Sequence, residues 1–191
     1  MPYERFKLDE LPASPWKNGG GSTREILCWP PGTDMHSFDW RVSVARIAAP
    51  GPFSAFPGVD RTIVLLDGDG VWLEGEGVRH RLDTRHDPFH FSGDVALRCE
   101  LLGGPSTDFN VMTRREGGST TVSVYSQAHV MPRSTYGLLL SAQGHYHLRG
   151  GGLLKTGDGL WWAEQPQEWE LTPASRDARL IALRWEPRIL E

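Results

Sequence analysis

Turn signals recur about every eight to twelve residues along this chain, and they constrain its fold more than any other feature. Short apolar runs lie between them: Thr62-Ile63-Val64-Leu65-Leu66, Val71-Trp72-Leu73, Val78 to Leu82, Phe89-His90-Phe91 and Val95 to Leu102. Asp67-Gly68-Asp69-Gly70 and Gly75-Glu76-Gly77 part the first of these. No long helical period runs through them. The chain has 22 Gly, 14 Pro and 8 Trp in 191 residues, a mixture that favours strands and tight turns over long helices. The expectation is an all-β sandwich or barrel.

The same grammar starts again after the polar stretch Thr113 to Gly118. Gly137-Leu138-Leu139-Leu140, the turn Ala142-Gln143-Gly144, His145 to Leu148, Gly150-Gly151-Gly152 and Leu153 to Asp158 echo the first set, about 75 residues on. This predicts two β-modules, residues 1–115 and 116–191. Residues 1–15 read as an extended arm docked by Phe6 and Leu8, and Ala178 to Trp185 as a closing strand.

The richest stretch is Trp16-Lys17-Asn18-Gly19-Gly20-Gly21-Ser22-Thr23-Arg24-Glu25. Three glycines allow backbone angles closed to other residues and leave N–H groups uncovered. Lys17, Asn18, Thr23, Arg24 and Glu25 offer an ammonium, an amide, a hydroxyl, a guanidinium and a carboxylate to one small volume, an inventory that suits a small carboxylate. A plain glycine turn leading into a strand explains the same residues. A nucleotide-phosphate loop does not, because the Lys precedes the glycines. Phe38 to Ile47 then alternates, with Trp40, Val42 and Val44 on one face and Arg41, Ser43 and Ala45 on the other. Phe53 to Arg61 reads as a loop carrying Ser54, Phe56 and the pair Asp60-Arg61, which either serves a ligand or staples neighbouring turns.

Short β-modules with Gly-Asp turns are typical of cupins, double-sheet jelly rolls that often hold a metal. His145 and His147 share a strand face, but no carboxylate follows them and no later His exists, so no metal is expected. His80, His86 and His90 lie in a charged, loop-rich region. Cys28 and Cys99 read as buried free thiols. No nucleophile motif stands out. Glu25 and Asp108 are the acids in suggestive segments, each with an ion pair to Arg24, Arg41 or Arg61 as its plainer role. A net charge of −4 without basic blocks argues against nucleic acid. No apolar run approaches membrane-spanning length, and the N-terminus lacks a secretory core, so a cytoplasmic protein is expected.

Pro15 to Glu25 closely resembles the signature of the HutD/Ves family. Phe38 to Ala45, Gly51 to Arg61, and Gly103-Gly104 with Asp108-Phe109-Asn110-Val111-Met112 match in order and approximate spacing. The resemblance covers about residues 11–112. It implies a bicupin of two fused jelly-roll-like barrels with few short helices, without the usual cupin metal ligands; no cofactor is expected. It also implies a bacterial protein tied to histidine utilisation; one branch of the family is linked to cold and stress responses. The motif residues that carry over are Lys17, Asn18, Thr23, Arg24, Glu25, Trp40, Arg41, Ser43, Ser54, Phe56, Arg61, Asp108 and Asn110.

These residues point to a non-catalytic protein that binds a small carboxylate such as urocanate or N-formylglutamate and so senses or buffers pathway flux. Two rivals stand beside it: a metal-free hydrolase or isomerase using Glu25 or Asp108 as base, and an interaction scaffold presenting tryptophans and strands. Open strand edges also invite pairing into a homodimer.

Overall fold

The structure, a computed structural model, describes residues 2–188. Its strands are β1 (Glu4–Lys7), β2 (Ala13–Pro15), β3 (Gly21–Trp29), β4 (Trp40–Ile47), β5 (Gly51–Phe53), β6 (Val59–Asp67), β7 (Val71–Gly75), β8 (Val78–Leu82), β9 (Pro88–Ser92) and β10 (Leu97–Leu101). They continue with β11 (Ser106–Arg114), β12 (Gly118–Tyr125), β13 (His129–Ser134), β14 (Gly137–Gln143), β15 (Tyr146–Leu148), β16 (Gly152–Leu154), β17 (Asp158–Trp162), β18 (Gln167–Pro173) and β19 (Arg179–Pro187). The described residues contain no helix, so the few short helices expected are not there. Among the described residues, therefore, no helix is long and apolar enough to cross a membrane.

Two compact units divide the chain. One runs from Pro12 to Gly118. Its six-stranded sheet has the order β2-β3-β4-β11-β6-β9 and its four-stranded sheet the order β5-β10-β7-β8. Ile47, Ile63 and Leu65 from the first sheet meet Phe53, Val71, Leu73, Leu97 and Cys99 from the second in one apolar core. Period-two alternation builds this. On β4, Arg41, Ser43 and Ala45 share a face, while Trp40, Val42 and Val44 take the opposite one.

The other unit takes the residues up to Leu11 and those from Ser119 onward. Its sheets have the orders β1-β17-β14-β19-β12 and β13-β18-β15-β16. Leu139, Leu160, Trp162, Leu180 and Ala182 from the first pack with Met131, Tyr146, Leu148, Leu154, Trp169 and Leu171 from the second. The N-terminal segment, grouped with the first module by its sequence position, pairs with the second unit: Glu4 lies opposite Trp161 and Lys7 opposite Asp158. That pairing joins residues more than 150 apart, beyond the reach of any local pattern.

None of the sheets closes into a barrel, contrary to expectation. In the first unit three of the four edge strands carry a proline: Pro15 in β2, Pro52 in β5 and Pro88 in β9. A proline has no N–H to donate to a further strand, so pairing stops there.

Candidate functional site

A cavity of about 350 Å³ opens at one end of the space between the two sheets of the Pro12–Gly118 unit. Thr23 on β3, Arg41, Ser43 and Ala45 on β4, Asn110 and Met112 on β11 and Arg61 on β6 form one wall. Pro52 and Phe53 of β5, with Ser54 and Phe56 just after it, form another. Trp16, Lys17, Asn18 and Met35 surround the mouth.

Register explains why these residues meet. On the six-stranded sheet Arg41 lies opposite Met112 and Ser43 opposite Asn110, while Arg61 lies opposite Met112 from the other side. Three adjacent strands thus present one row of inward side chains. A bulge between Glu25 and Leu27 in β3 shifts the pairing, and the Glu25 carboxylate accepts from Arg41.

Arg61 is the most unusual member. It reads from sequence as part of a loop, yet β6 begins at Val59 and turns Arg61 inward, leaving it 8% exposed. Asp60, its neighbour, points outward and pairs with Arg115 at 3.4 Å. Arg61's Nη1 donates to the Ser54 carbonyl at 3.4 Å, and its Nε is buried without a hydrogen-bond partner. The guanidinium carbon lies 5.5 Å from the Phe53 ring centroid, 5.4 Å from that of Phe56 and 5.1 Å from that of Phe91. Among the described residues no carboxylate forms an ion pair with it. Burial, with a smaller contribution from the Arg41 charge, pushes its pKa down to about 10, so it stays a cation at neutral pH.

Arg41 differs. Its Nε donates to Glu25 Oε2 at 2.8 Å and its Nη1 approaches Met112 Sδ at 3.9 Å. Its charge is compensated within the chain by Glu25, an acid with a half-exposed side chain.

The triple-glycine stretch has another task than the one its exposed amides suggest. Gly19 N–H donates to the Trp16 carbonyl at 3.0 Å and Gly20 N–H to Asn18 Oδ1 at 2.9 Å. The amides thus close the β2–β3 hairpin turn and are taken. Gly21 is required by space: a Cβ there would lie 2.2 Å from the Arg46 carbonyl oxygen and 3.0 Å from the Trp16 ring. The turn sets Trp16 over the pocket, where its Nε1 donates to Thr23 Oγ1 at 2.8 Å.

Of the thirteen motif residues, Lys17, Asn18, Thr23, Arg41, Ser43, Ser54, Phe56, Arg61 and Asn110 line the cavity. Arg24, Glu25, Trp40 and Asp108 do not. Arg24 and Trp40 each neighbour a lining residue, and strand alternation sends them to the opposite face. Asp108 is fully buried beyond the floor; both its carboxylate oxygens lack a partner, so the ion pair expected of it does not form. Neither acid proposed as a base opens onto the cavity. Sequence reasoning left Trp16, Met35, Ala45, Pro52, Phe53 and Met112 out of the site. Continuing the alternation from Ser43 and Asn110 would have reached Ala45 and Met112. Met35 sits in a loop and gives no such signal. Among the described residues, no group of three His, Cys, Asp or Glu side chains is placed to hold a metal.

The two facing sheets with a cavity between them make a cupin-like fold; a cupin 2 conserved barrel domain protein from Leptotrichia buccalis shares it at a TM-score of 0.60 and 12% identity, covering 96% of each chain. Within that class the chain belongs to the HutD family, which it matches over residues 8–181. Protein Ves of Cronobacter sakazakii (strain ATCC BAA-894) is 42% identical over 163 residues, 84% of this chain and 87% of that protein. A solved structure of HutD from Pseudomonas fluorescens SBW25, in its formate condition, superposes at a TM-score of 0.83 with 30% identity, covering 96% of this chain and 99% of that one.

Proposed function

We propose that the cavity binds a small carboxylate, with Arg61 as its anchor, and that the protein is a non-catalytic binder that senses or buffers metabolites of histidine utilisation such as urocanate or N-formylglutamate. The observation that carries this is the Arg61 guanidinium, buried inside three aromatic rings, facing a cavity and lacking an anionic partner among the described residues. Burying an uncompensated charge is costly, and an anion entering the cavity relieves that cost with charge-assisted hydrogen bonds. Lys17 at the mouth adds attraction, Ser43 and Asn110 supply polar contacts on the floor, and Trp16, Phe53 and Phe56 enclose the apolar body of the ligand. In the same reading each unit is one cupin-like module of a bicupin, and the carboxylate site belongs to the first.

Titration calorimetry with urocanate and N-formylglutamate tests the proposal. Arg61→Ala should weaken binding by about 2–5 kcal/mol, while Arg61→Lys should recover part of it. Unchanged affinity in Arg61→Ala would remove the anchor and the reading with it.

A further inference from the structure

Asp108 is 0% exposed, and neither carboxylate oxygen has a hydrogen-bond partner among the described residues. Its position ties it to the cavity. On β11 it stands two residues before Asn110, on the same face, and directly across from Ala45 of β4; both of those residues line the cavity. On its other side Leu65 of β6 lies opposite. Leu65 belongs to the apolar core that also holds Val71, Leu73 and Leu97. The acid therefore sits behind the floor, between the ligand space and apolar side chains.

Few charged groups face it. β4 and β6 present Ala45 and Leu65. The facing sheet presents Cys99, whose thiol is pushed up to about 12, chiefly by burial and then by the charge of Asp108. Arg61 and Arg41 share the floor's face but lie across from Met112, four residues or about 13 Å of strand further along. Burial alone raises the Asp108 pKa, to about 7.

We propose that the cavity takes up a proton at Asp108 when it takes up an anion at Arg61, so that occupancy depends on carboxylate concentration and pH together. This rests on the carboxylate reading above. A bound anion adds one negative charge near Asp108, offsetting the field of Arg61, and so favours the neutral acid. At about 10–13 Å in a medium of effective dielectric near 20, the coupling is roughly tenfold in affinity. Linkage fixes its sign: affinity is highest where Asp108 is protonated and falls as pH rises through the range in which it titrates.

The test is titration calorimetry with N-formylglutamate and with propionate from pH 6 to pH 8.5, each in two cationic buffers whose ionisation enthalpies differ. Wild type should take up a fraction of a proton near pH 7.5 and lose roughly fivefold to tenfold in affinity across the range. Asp108→Asn should show neither effect. Equal proton uptake in Asp108→Asn, or binding by wild type without uptake, overturns the proposal and leaves the carboxylate reading standing. No binding of either probe or of urocanate at any pH overturns both. If Asp108→Asn does not fold, carbon-13 NMR of the Asp108 carboxyl in wild type decides: its titration midpoint should rise on saturation, and an unmoved midpoint refutes the coupling.

Discussion

Between the sheets of the Pro12–Gly118 unit lie Arg41, Ser43, Arg61, Asp108 and Asn110, all buried; between the sheets of the other unit lie Tyr146, Trp162, Trp169 and a layer of leucines. Among the described residues, the buried polar side chains belong to the first unit except Ser141. Each unit stacks a larger sheet on a four-stranded one, so layout alone does not decide the contents. The second unit fills its interior with large rings: Trp162 packs beneath Gly137 and its Nε1 donates to the Ser134 carbonyl at 2.9 Å. The first leaves a cavity and keeps near it a cation and an acid that, among the described residues, have no ion-pair partner. The comparison teaches that one interior is spent on stability and the other holds groups that packing alone does not explain.

The largest test of this contrast is on the apolar side. Trp162→Ala should cost about 3–5 kcal/mol, read as a lowered urea midpoint, because it empties a closely packed volume. Calorimetric affinity for carboxylates should be unchanged under native conditions. A loss of binding as large as the loss of stability would mean that the two interiors do not divide the work in this way.

Asp108→Asn should come next, and its effect depends on pH. The folded-state pKa, about 7, lies above the unfolded value of about 3.9, so the unfolded chain releases its proton first as pH rises. Stability therefore falls between about pH 4 and pH 7 and is level above that. The penalty reaches at most about 4 kcal/mol, and the asparagine variant escapes it. Melting temperatures should agree near pH 4 and favour the variant at pH 8. Parallel curves would show that Asp108 is ionised in the fold.

Gly21→Ala should cost about 1–3 kcal/mol and weaken carboxylate binding together, because the new methyl group meets the Arg46 carbonyl and displaces Trp16. Gly19→Ala, where φ is +72° but space is open, should lose about 1 kcal/mol with little effect on binding. The smallest change in stability should come from Arg61→Met, which removes a buried charge that has no ion-pair partner among the described residues. Its urea midpoint should be no lower than that of wild type while carboxylate affinity collapses. A strong drop in the midpoint would make Arg61 a structural residue.

Much of the cavity wall was legible because a strand's period is two. Arg41 and Ser43 fell on one face at once, and the observed β4 keeps them there. Arg61 was misplaced because Pro57-Gly58 and the adjacent charges of Asp60-Arg61 look like a loop, whereas β6 sends one charge outward and the other inward. Asn18 and the glycines were legible as a turn, but the partners of their amides were not, since those depend on how the hairpin closes. β1 was read as an arm because its partner, β17, lies far along the chain. The isolation of Asp108 required knowing both neighbouring strands, which present alanine and leucine where the sequence offered three arginines as partners.

The central claim is that Arg61 awaits an anion. A crystal structure of the protein soaked with urocanate or N-formylglutamate tests it most directly. Ligand density should appear in the Pro12–Gly118 cavity with a carboxylate within about 3 Å of the Arg61 guanidinium. A ligand bound elsewhere, or seated in the cavity with its carboxylate turned away from Arg61, would contradict it.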